Sequence, residues 1–207
     1  MQIELNDKVF NKFKNIKNGT YVEAGAFDGV FQSNTYRLEK ERDWTGVLIE
    51  PSMNRFNQCV KNRSKSNVFV NAAIVSSEYD KNKIFGDFNG EPVSSVGAMR
   101  CSKYRNSLNE VNAVTAQSIF DKHDIRSIDL FSLDVEGYEL EALKGIDFDK
   151  MSIENFLIEI RNKDKNDIIS FLTSKGYGIP INFSDFNTQT HPNWSGDHND
   201  YLFEKIK

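Results

Sequence analysis

The sequence predicts a doubly wound α/β fold: a mostly parallel sheet of seven strands, helices on both faces, and an antiparallel hairpin at the C-terminal edge. Three observations carry that expectation. Short apolar runs alternate along the chain with segments of helical periodicity, the pattern of strand–helix crossovers. The 207 residues suffice for one such domain with a sizeable core. The last two apolar runs have no helical segment between them, so they pair as a hairpin.

The elements follow in order. Over 7–16, Val9, Phe10, Phe13 and Ile16 fall at helical spacing and form a leading amphipathic helix. A buried strand at 20–24 runs into a glycine-rich turn at 25–29, and Ser33 or Asn34 can cap a helix reaching about Arg42. The second strand, 45–49, stops at Glu50-Pro51; a helix over 53–61 and a third strand over 68–75 come next. From 76 to 112 the chain turns polar and carries Gly86, Gly90 and Gly97. That is long for a connection, and it reads as small antiparallel strands plus a mobile flap. Regularity returns with a helix at 115–122, a strand at 128–135, a short helix at 138–143 and a strand at 155–160. A helix at 167–175 closes at Gly176, and strands at 178–183 and 201–206 finish the sheet.

Composition narrows the function classes. Lysine and arginine number 26 against 30 acidic residues, a formal net charge of -4. Nothing electrostatic therefore favours nucleic acid as the main partner. The basic stretch 55–65 reads as a solvated helix face. No run approaches the roughly 20 apolar residues that span a bilayer, and 1–17 holds no apolar leader segment. A cytoplasmic domain without a membrane partner is expected. Cys59 and Cys101 show no metal-ligand spacing, and free thiols are expected over a disulfide.

In such a sheet, ligands bind beyond the carboxyl ends of the strands, near the point where strand order reverses. The first strand runs into Glu23-Ala-Gly25-Ala26-Phe27-Asp28-Gly29. Gly25 and Gly29 let the backbone turn tightly and approach a ligand closely. The motif lacks the middle glycine of a dinucleotide site, and it sets an acid ahead of the first glycine. S-Adenosylmethionine has no phosphate and carries an ammonium and a sulfonium, so a nearby carboxylate suits it. The second strand ends in Glu50, placed to accept from both ribose hydroxyls. The third ends in Asn71-Ala72-Ala73, an amide and small side chains fit to border adenine. The fourth ends in Asp134-Val-Glu136-Gly137 and the fifth in Glu159-Ile-Arg161-Asn162. Paired acids after an apolar strand serve a cleft better than a core, with helix capping as the alternative. Asp134, Glu136 and Glu159 are thus expected to converge at one edge of the site.

Glu-Ala-Gly-Ala-Phe-Asp-Gly, Leu48-Ile-Glu-Pro51, Asn71-Ala-Ala73 and the run from Leu133 to Gly145 (Leu-Asp-Val-Glu-Gly-Tyr-Glu-Leu-Glu-Ala-Leu-Lys-Gly) resemble the FkbM-type methyltransferases. The motifs stand in the family's order over residues 20–160, and the closing His198-Asn-Asp200-Tyr-Leu-Phe is similar to its last strand. The resemblance implies a class I (Rossmann-like) methyltransferase fold, S-adenosylmethionine as donor, and O-methylation of a sugar, glycan or related small-molecule hydroxyl. On this pattern the donor contacts are Glu23, Gly25, Ala26, Phe27, Asp28, Gly29, Asn34, Glu50, Pro51, Asn71, Ala72 and Asp134. The segment 76–112 departs from the pattern and carries no acceptor residues over.

A protonated alcohol is a poor nucleophile, so an oxygen acceptor needs a base or a metal. Asp134 or Glu159 is expected to take the proton, directly or through a cation. Asp134, Glu136 and Glu159 form an all-oxygen set that suits Mg²⁺ better than zinc. His191 and His198 flank the irregular segment 192–197 and are further candidates for the base, while His123 reads as surface. Three rival readings are weighed, of which a nicotinamide-dependent oxidoreductase has the glycine spacing against it. A non-catalytic S-adenosylmethionine- or nucleoside-binding regulatory module would keep Glu23 and Glu50 without an acceptor pocket. A methyltransferase acting on a nucleic-acid end would require a basic groove. The acceptor and the oligomeric state stay open at this level.

Overall fold

A seven-stranded sheet organises the computed structural model, which describes residues 2–91, 94–97 and 108–206. The chain enters through α1 (Gln2–Phe13), then alternates β1 (Thr20–Ala24), α2 (Tyr36–Arg42), β2 (Thr45–Ile49), α3 (Met53–Asn62) and β3 (Val68–Val70). Three strands of a smaller sheet follow: β4 (Ala73–Val75), β5 (Lys83–Gly86) and β6 (Asn109–Thr115). The second half runs α4 (Ala116–Lys122), β7 (Ser127–Ile128), β8 (Leu130–Leu133), α5 (Glu139–Leu143), β9 (Ser152–Ile153), β10 (Asn155–Arg161), α6 (Lys165–Ser174), β11 (Ile181–Asn182) and β12 (His198–Glu204). The main sheet has the order β11-β12-β10-β8-β1-β2-β3. Its strands are parallel except β12, which is antiparallel to β10 and β11. Strand order reverses between β1 and β8, which puts the switch point at their carboxyl ends.

Alternate residues of each central strand enter two different cores, which is why the strands read as continuous apolar runs. Val22, Ala24, Val47, Ile49, Phe131, Leu133, Phe156 and Ile158 pack with α4, α5 and α6. Tyr21, Leu48, Leu130, Leu157 and Leu202 face the other way, onto Leu5, Val9, Phe10 and Phe13 of α1 and Leu38 of α2. On that second face the apolar row turns polar toward the strands' carboxyl ends: Tyr21 is followed by Glu23, Leu130 by Ser132, and Leu157 by Glu159. Asp200 stands directly opposite Glu159 on β12. Of this row, Glu159 comes together with Asp134 and Glu136.

Several boundaries differ from the sequence expectation. The leading helix is 2–13 rather than 7–16; Ile16 lies beyond it, its carbonyl accepting from Trp44 Nε1 (2.9 Å). The single strand expected over 68–75 divides at Asn71, whose Nδ2 donates to Glu50 O (2.8 Å) and Pro51 O (3.0 Å). The chain bends there, and β4 joins β6 instead. The strand expected over 128–135 breaks at Asp129, whose carboxylate accepts from Thr20 N (2.7 Å) and Thr20 Oγ1 (3.0 Å). The last strand starts earlier, at His198. Within 76–112 the expected small antiparallel strands are β5 and β6, paired from Lys83–Asn112 to Gly86–Asn109. The remainder of the expected flap, at 92–93 and 98–107, lies outside the described residues, as does Cys101. Cys59 is buried and free. No helix among the described residues is long and apolar enough to cross a membrane.

Candidate active site

The turn after β1 is fixed by its backbone. Gly25 N and Ala26 N both donate to Ile49 O (3.1 and 3.0 Å). Gly25 has φ +85°, and a Cβ there would lie 1.9 Å from Asp134 O, so a side chain has no room. Asp28 Oδ1 accepts from Val30 N (2.9 Å) and Phe31 N (2.7 Å), an Asx-type turn. Gly29 also has positive φ, with Arg63 Cγ 2.8 Å and Cys59 Sγ 2.9 Å from the position of an added Cβ. Ala26, Asp28 and Gly29 thus build the turn, while Gly25 and Phe27 line the cleft it borders.

Glu50, at the end of β2, is 6% exposed. Its Oε2 accepts from Phe27 N (2.9 Å) and its Oε1 from Ser52 N (2.8 Å). Burial pushes its carboxyl up to about 7, against these two backbone donors and the positive charge of Arg55. Asn71 holds the Glu50 and Pro51 carbonyls and lines an adjoining pocket with Lys83, Pro51 and Phe88, the last two shared with the cleft. Pro51, Ala72 and Ala73 form one wall, and Asp134, Glu136 and Tyr138 stand at the far end. Phe88, Glu91, Ser94 and Val96 of the 76–112 segment also line the cleft.

Glu23 is placed differently from the expectation. It lies behind the turn, away from the cleft-lining residues, and accepts from Ser33 Oγ (2.8 Å), Thr35 Oγ1 (2.6 Å) and Asn34 N (2.9 Å). Its ion-pair partner is Arg63 (3.3 Å), whose side chain is 0% exposed. Arg63 also donates to Glu39 (2.7 Å), Tyr21 Oη (2.8 Å), Thr35 Oγ1 (2.9 Å), Ser33 Oγ (3.0 Å) and Gly29 O (2.9 Å). Glu23 is therefore a support for the turn. Asn34 shares that role: its Nδ2 donates to Ser132 Oγ (3.0 Å). Ser33, whose Oγ accepts from Tyr36 N (3.1 Å), serves the first turn of α2. The expectation of a solvated basic face over 55–65 fails at Arg63, because two buried carboxylates, Glu23 and Glu39, require a buried cation.

At the far end, oxygens of Asp134, Glu136 and Glu159 lie within 4.8 Å of one another, the predicted convergence. Asp134 N donates to Ala24 O (3.1 Å), and Asp134 Oδ1 is buried without a hydrogen-bond partner among the described residues. Burial drives the Asp134 carboxyl well above the usual range, and the charges of Glu159, Glu136, Glu139 and Asp200 add to the push. His198 Nε2 lies 3.7 Å from Glu159 Oε2, and its Nδ1 pairs with Asp197 Oδ1 (2.8 Å). His191 is held elsewhere, between Glu4 Oε2 of α1 (2.9 Å) and Thr190 Oγ1 (2.8 Å). The structure thus joins His198, and not His191, to the acids. Asp200 is a buried acid that sequence reasoning passed over; burial, then the Glu159 charge, push it up to about 7 against His198. Its signal was the polar triplet His198-Asn-Asp200 inside an otherwise apolar last strand.

A sheet of this order, with its cleft at the carboxyl ends of β1, β2 and β8, is the class I S-adenosylmethionine-dependent methyltransferase fold. The chain belongs to the FkbM methyltransferase family: the methyltransferase FkbM domain matches it over residues 23–179. Among solved structures it is similar to TrmK of M. capricolum in complex with S-adenosylhomocysteine, at TM-score 0.53 and 14% identity, covering 99% of this chain and 68% of that one. It is also similar to the precorrin-6y C5,15-methyltransferase of Geobacter metallireducens GS-15 (TM-score 0.51, 10% identity, 98% and 89% covered). The N-terminal domain of human METTL16 in complex with S-adenosylhomocysteine gives TM-score 0.55 at 11% identity, with 99% and 68% covered. At these identities the structural likeness speaks for the fold alone. No curated protein matches the chain.

Proposed function

We propose that this methyltransferase moves the methyl group of S-adenosylmethionine to a hydroxyl oxygen of a sugar, glycan or related small molecule, in a cytoplasmic setting. The observation that supports this reading best is the position of Asp134, a half-buried residue on the cleft wall whose Oδ1 is buried and lacks a partner among the described residues. Bound S-adenosylmethionine supplies an electrophilic methyl carbon on a sulfonium leaving group. Glu50, whose carboxylate has lone pairs beyond those its two backbone donors use, would accept from the ribose hydroxyls. Gly25 and Phe27 bring the turn against the donor, and Ala72 with Pro51 borders the base. Asp134 Oδ1 takes the acceptor proton: the O–H bond breaks, an O–CH₃ bond forms as the S–CH₃ bond breaks, and the electron pair leaves with sulfur. Burial makes Asp134 a stronger base than a solvated carboxylate, which suits it to this step. Glu159, next to it and to His198, is the second candidate for the base.

The same three acids suit Mg²⁺ by their chemistry, being all-oxygen donors with one of them lacking a partner. Asp134, Glu136 and Glu159 would hold the ion, which would lower the pKa of an acceptor hydroxyl. The described cleft lining includes Glu50, Glu91, Asp134 and Glu136 and no lysine or arginine. That lining favours an uncharged or cationic small molecule over a nucleic-acid end.

The first test is isothermal titration with S-adenosylmethionine and S-adenosylhomocysteine on wild type and Glu50→Ala. Binding lost on substitution supports the donor site and leads to an acceptor screen beginning with sugars, with and without Mg²⁺. Folded wild type that binds neither ligand would end the reading.

A further inference from the structure

The segment between β5 and β6 contributes to the cleft through a folded turn. Gly97 N donates to Phe85 O (2.9 Å) and Asp87 N to Ser95 O (3.1 Å), while the buried Asp87 carboxylate accepts in return from Ser95 N. Gly86 bridges Val96. The turn carries Phe88, 6% exposed, which packs in one cluster with Ala73, Val75 and Ile84 and presents part of its surface to the cleft. Phe88 and Phe27 therefore stand on two separate supports: Phe27 on the turn after β1, Phe88 on the insert.

One side chain joins these supports. Arg55, on the first turns of α3, sets its guanidinium 4.1 Å over the centroid of the Phe27 ring. Its Nε donates to Gly90 O on the insert (2.6 Å), and its Nη1 donates to Gln58 Oε1 (3.1 Å), which fixes the plane of the fork. Gly90 has φ +86°, and a Cβ there would come within 3.3 Å of both Arg55 Nε and Ser52 Oγ, so the insert approaches α3 as closely as glycine permits. A planar guanidinium can lay its face on a ring while its edge donates to a carbonyl in a fixed fork, a geometry a lysine ammonium lacks. Arg55 itself does not line the cleft.

We infer that Arg55 is a positioning residue of the donor site, and that the insert it anchors is a wall for the nucleoside of the donor. The inference rests on the cleft being the S-adenosylmethionine site. With Arg55 in place, Phe27 and Phe88 are held at one separation before the ligand enters, so little ordering is left to binding. Without it, Phe27 loses the cation on its outer face and the insert loses its tie to α3.

The test is titration of S-adenosylhomocysteine and of 5′-methylthioadenosine, which lacks the amino-acid half, into wild type, Arg55→Met and Arg55→Lys. Arg55→Met is expected to weaken both ligands by the same factor, about tenfold, with a Tm within about 3 °C of wild type. Arg55→Lys, retaining charge without the fork, should fall between, at about threefold. An equal loss for both ligands at unchanged Tm assigns the effect to the nucleoside end, since a general loosening of the fold would lower the Tm; a loss confined to S-adenosylhomocysteine places the effect at the amino-acid end and overturns the inference. Wild-type affinity in a folded Arg55→Met overturns the inference and leaves the donor site standing. Wild type that binds neither ligand overturns both. Should Arg55→Met fail to fold, Arg55→Gln, which can still reach Gly90 O but puts no charge over Phe27, decides by the same comparison.

Discussion

Replacing Arg63 by methionine should be among the most damaging single changes outside the cleft. The guanidinium is fully buried between Glu23 and Glu39, whose side chains are 5% and 4% exposed. Removing it leaves Glu23 without its cation and Glu39 with only the exposed Lys40 (3.2 Å), and strips donors from Tyr21 Oη, Thr35 Oγ1 and Gly29 O. Breaking a buried ion pair from one side costs about 3–5 kcal/mol. For a domain of this size, about 2–4 °C per kcal/mol gives a Tm lowered by roughly 6–20 °C. Circular dichroism melts at pH 7 and pH 4 measure it. Burial alone would raise the Glu39 carboxyl, yet the Arg63 guanidinium and the donors of Ser64 and Tyr21 hold it down at about 2. A depressed carboxyl contributes stability that is present above its unfolded value of about 4.3 and is lost as pH falls toward about 2. Without Arg63, Glu39 can take a proton more readily, so the deficit of the variant should narrow at pH 4. Adding Glu39→Leu to Arg63→Met should recover part of the loss. A Tm lowered by less than about 3 °C at pH 7, or a deficit unchanged at pH 4, would refute the reasoning.

Gly25→Ala puts a methyl 1.9 Å from Asp134 O at φ +85°; soluble yield should fall sharply, and any folded fraction should show no heat with S-adenosylhomocysteine. Glu50, raised to about 7 against an unfolded value of about 4.3, contributes stability that is complete below the lower value and lost as pH rises through the higher. Glu50→Gln leaves one of the two backbone donors unmet, so its Tm is compared across pH: ligand-free wild type should lose more Tm between pH 6 and pH 8 than Glu50→Gln, whose donor affinity drops at least about tenfold; equal losses would count against a neutral Glu50. Asp134→Asn should cut turnover by about 10²–10⁴ and leave the Kd for S-adenosylhomocysteine nearly unchanged; full activity would remove Asp134 from the acceptor step.

The sheet was legible because both faces are covered. Residues such as Val22 and Tyr21 go to opposite cores, so each strand appears as an unbroken apolar run flanked by turn signals. Glu50 and Asp134 were legible for a related reason: each follows such a run directly, where a core cannot use it. The breaks at Asn71 and Asp129 were not legible. Both are made by side chains reaching another strand's backbone, and nothing local marks such a partner. The partners of Glu23 within the chain were hidden on the same ground. An acid before a glycine turn looks the same whether it meets a ligand or an arginine 40 residues later. Arg63 itself sits in a polar stretch, and only the burial of Glu23 and Glu39 shows what it is for. Asp197 beside His198, and Asp200 opposite Glu159, needed the β10–β12 register before they could be joined to the acids of β8 and β10.

The two halves of the site handle charge in opposite ways. Behind the turn, the carboxylates of Glu23 and Glu39 are paired within the chain with Arg63 and, at Glu39, with Lys40 as well, and that half can be rigid whether or not a ligand is present. In front of it, burial raises the carboxyls of Glu50 and Asp134, and the described lining of the cleft supplies no lysine or arginine to answer them. Ligand hydroxyls and cationic centres can supply what the described lining does not: hydroxyl donors for Glu50, and positive charge in the field of the acids. Stability given up in the empty protein is then recovered on binding, which is linkage between ligand and proton. On this argument the gain in Tm caused by S-adenosylmethionine should be larger at pH 8 than at pH 6, because ionised Glu50 both costs more in the empty site and accepts more strongly in the filled one.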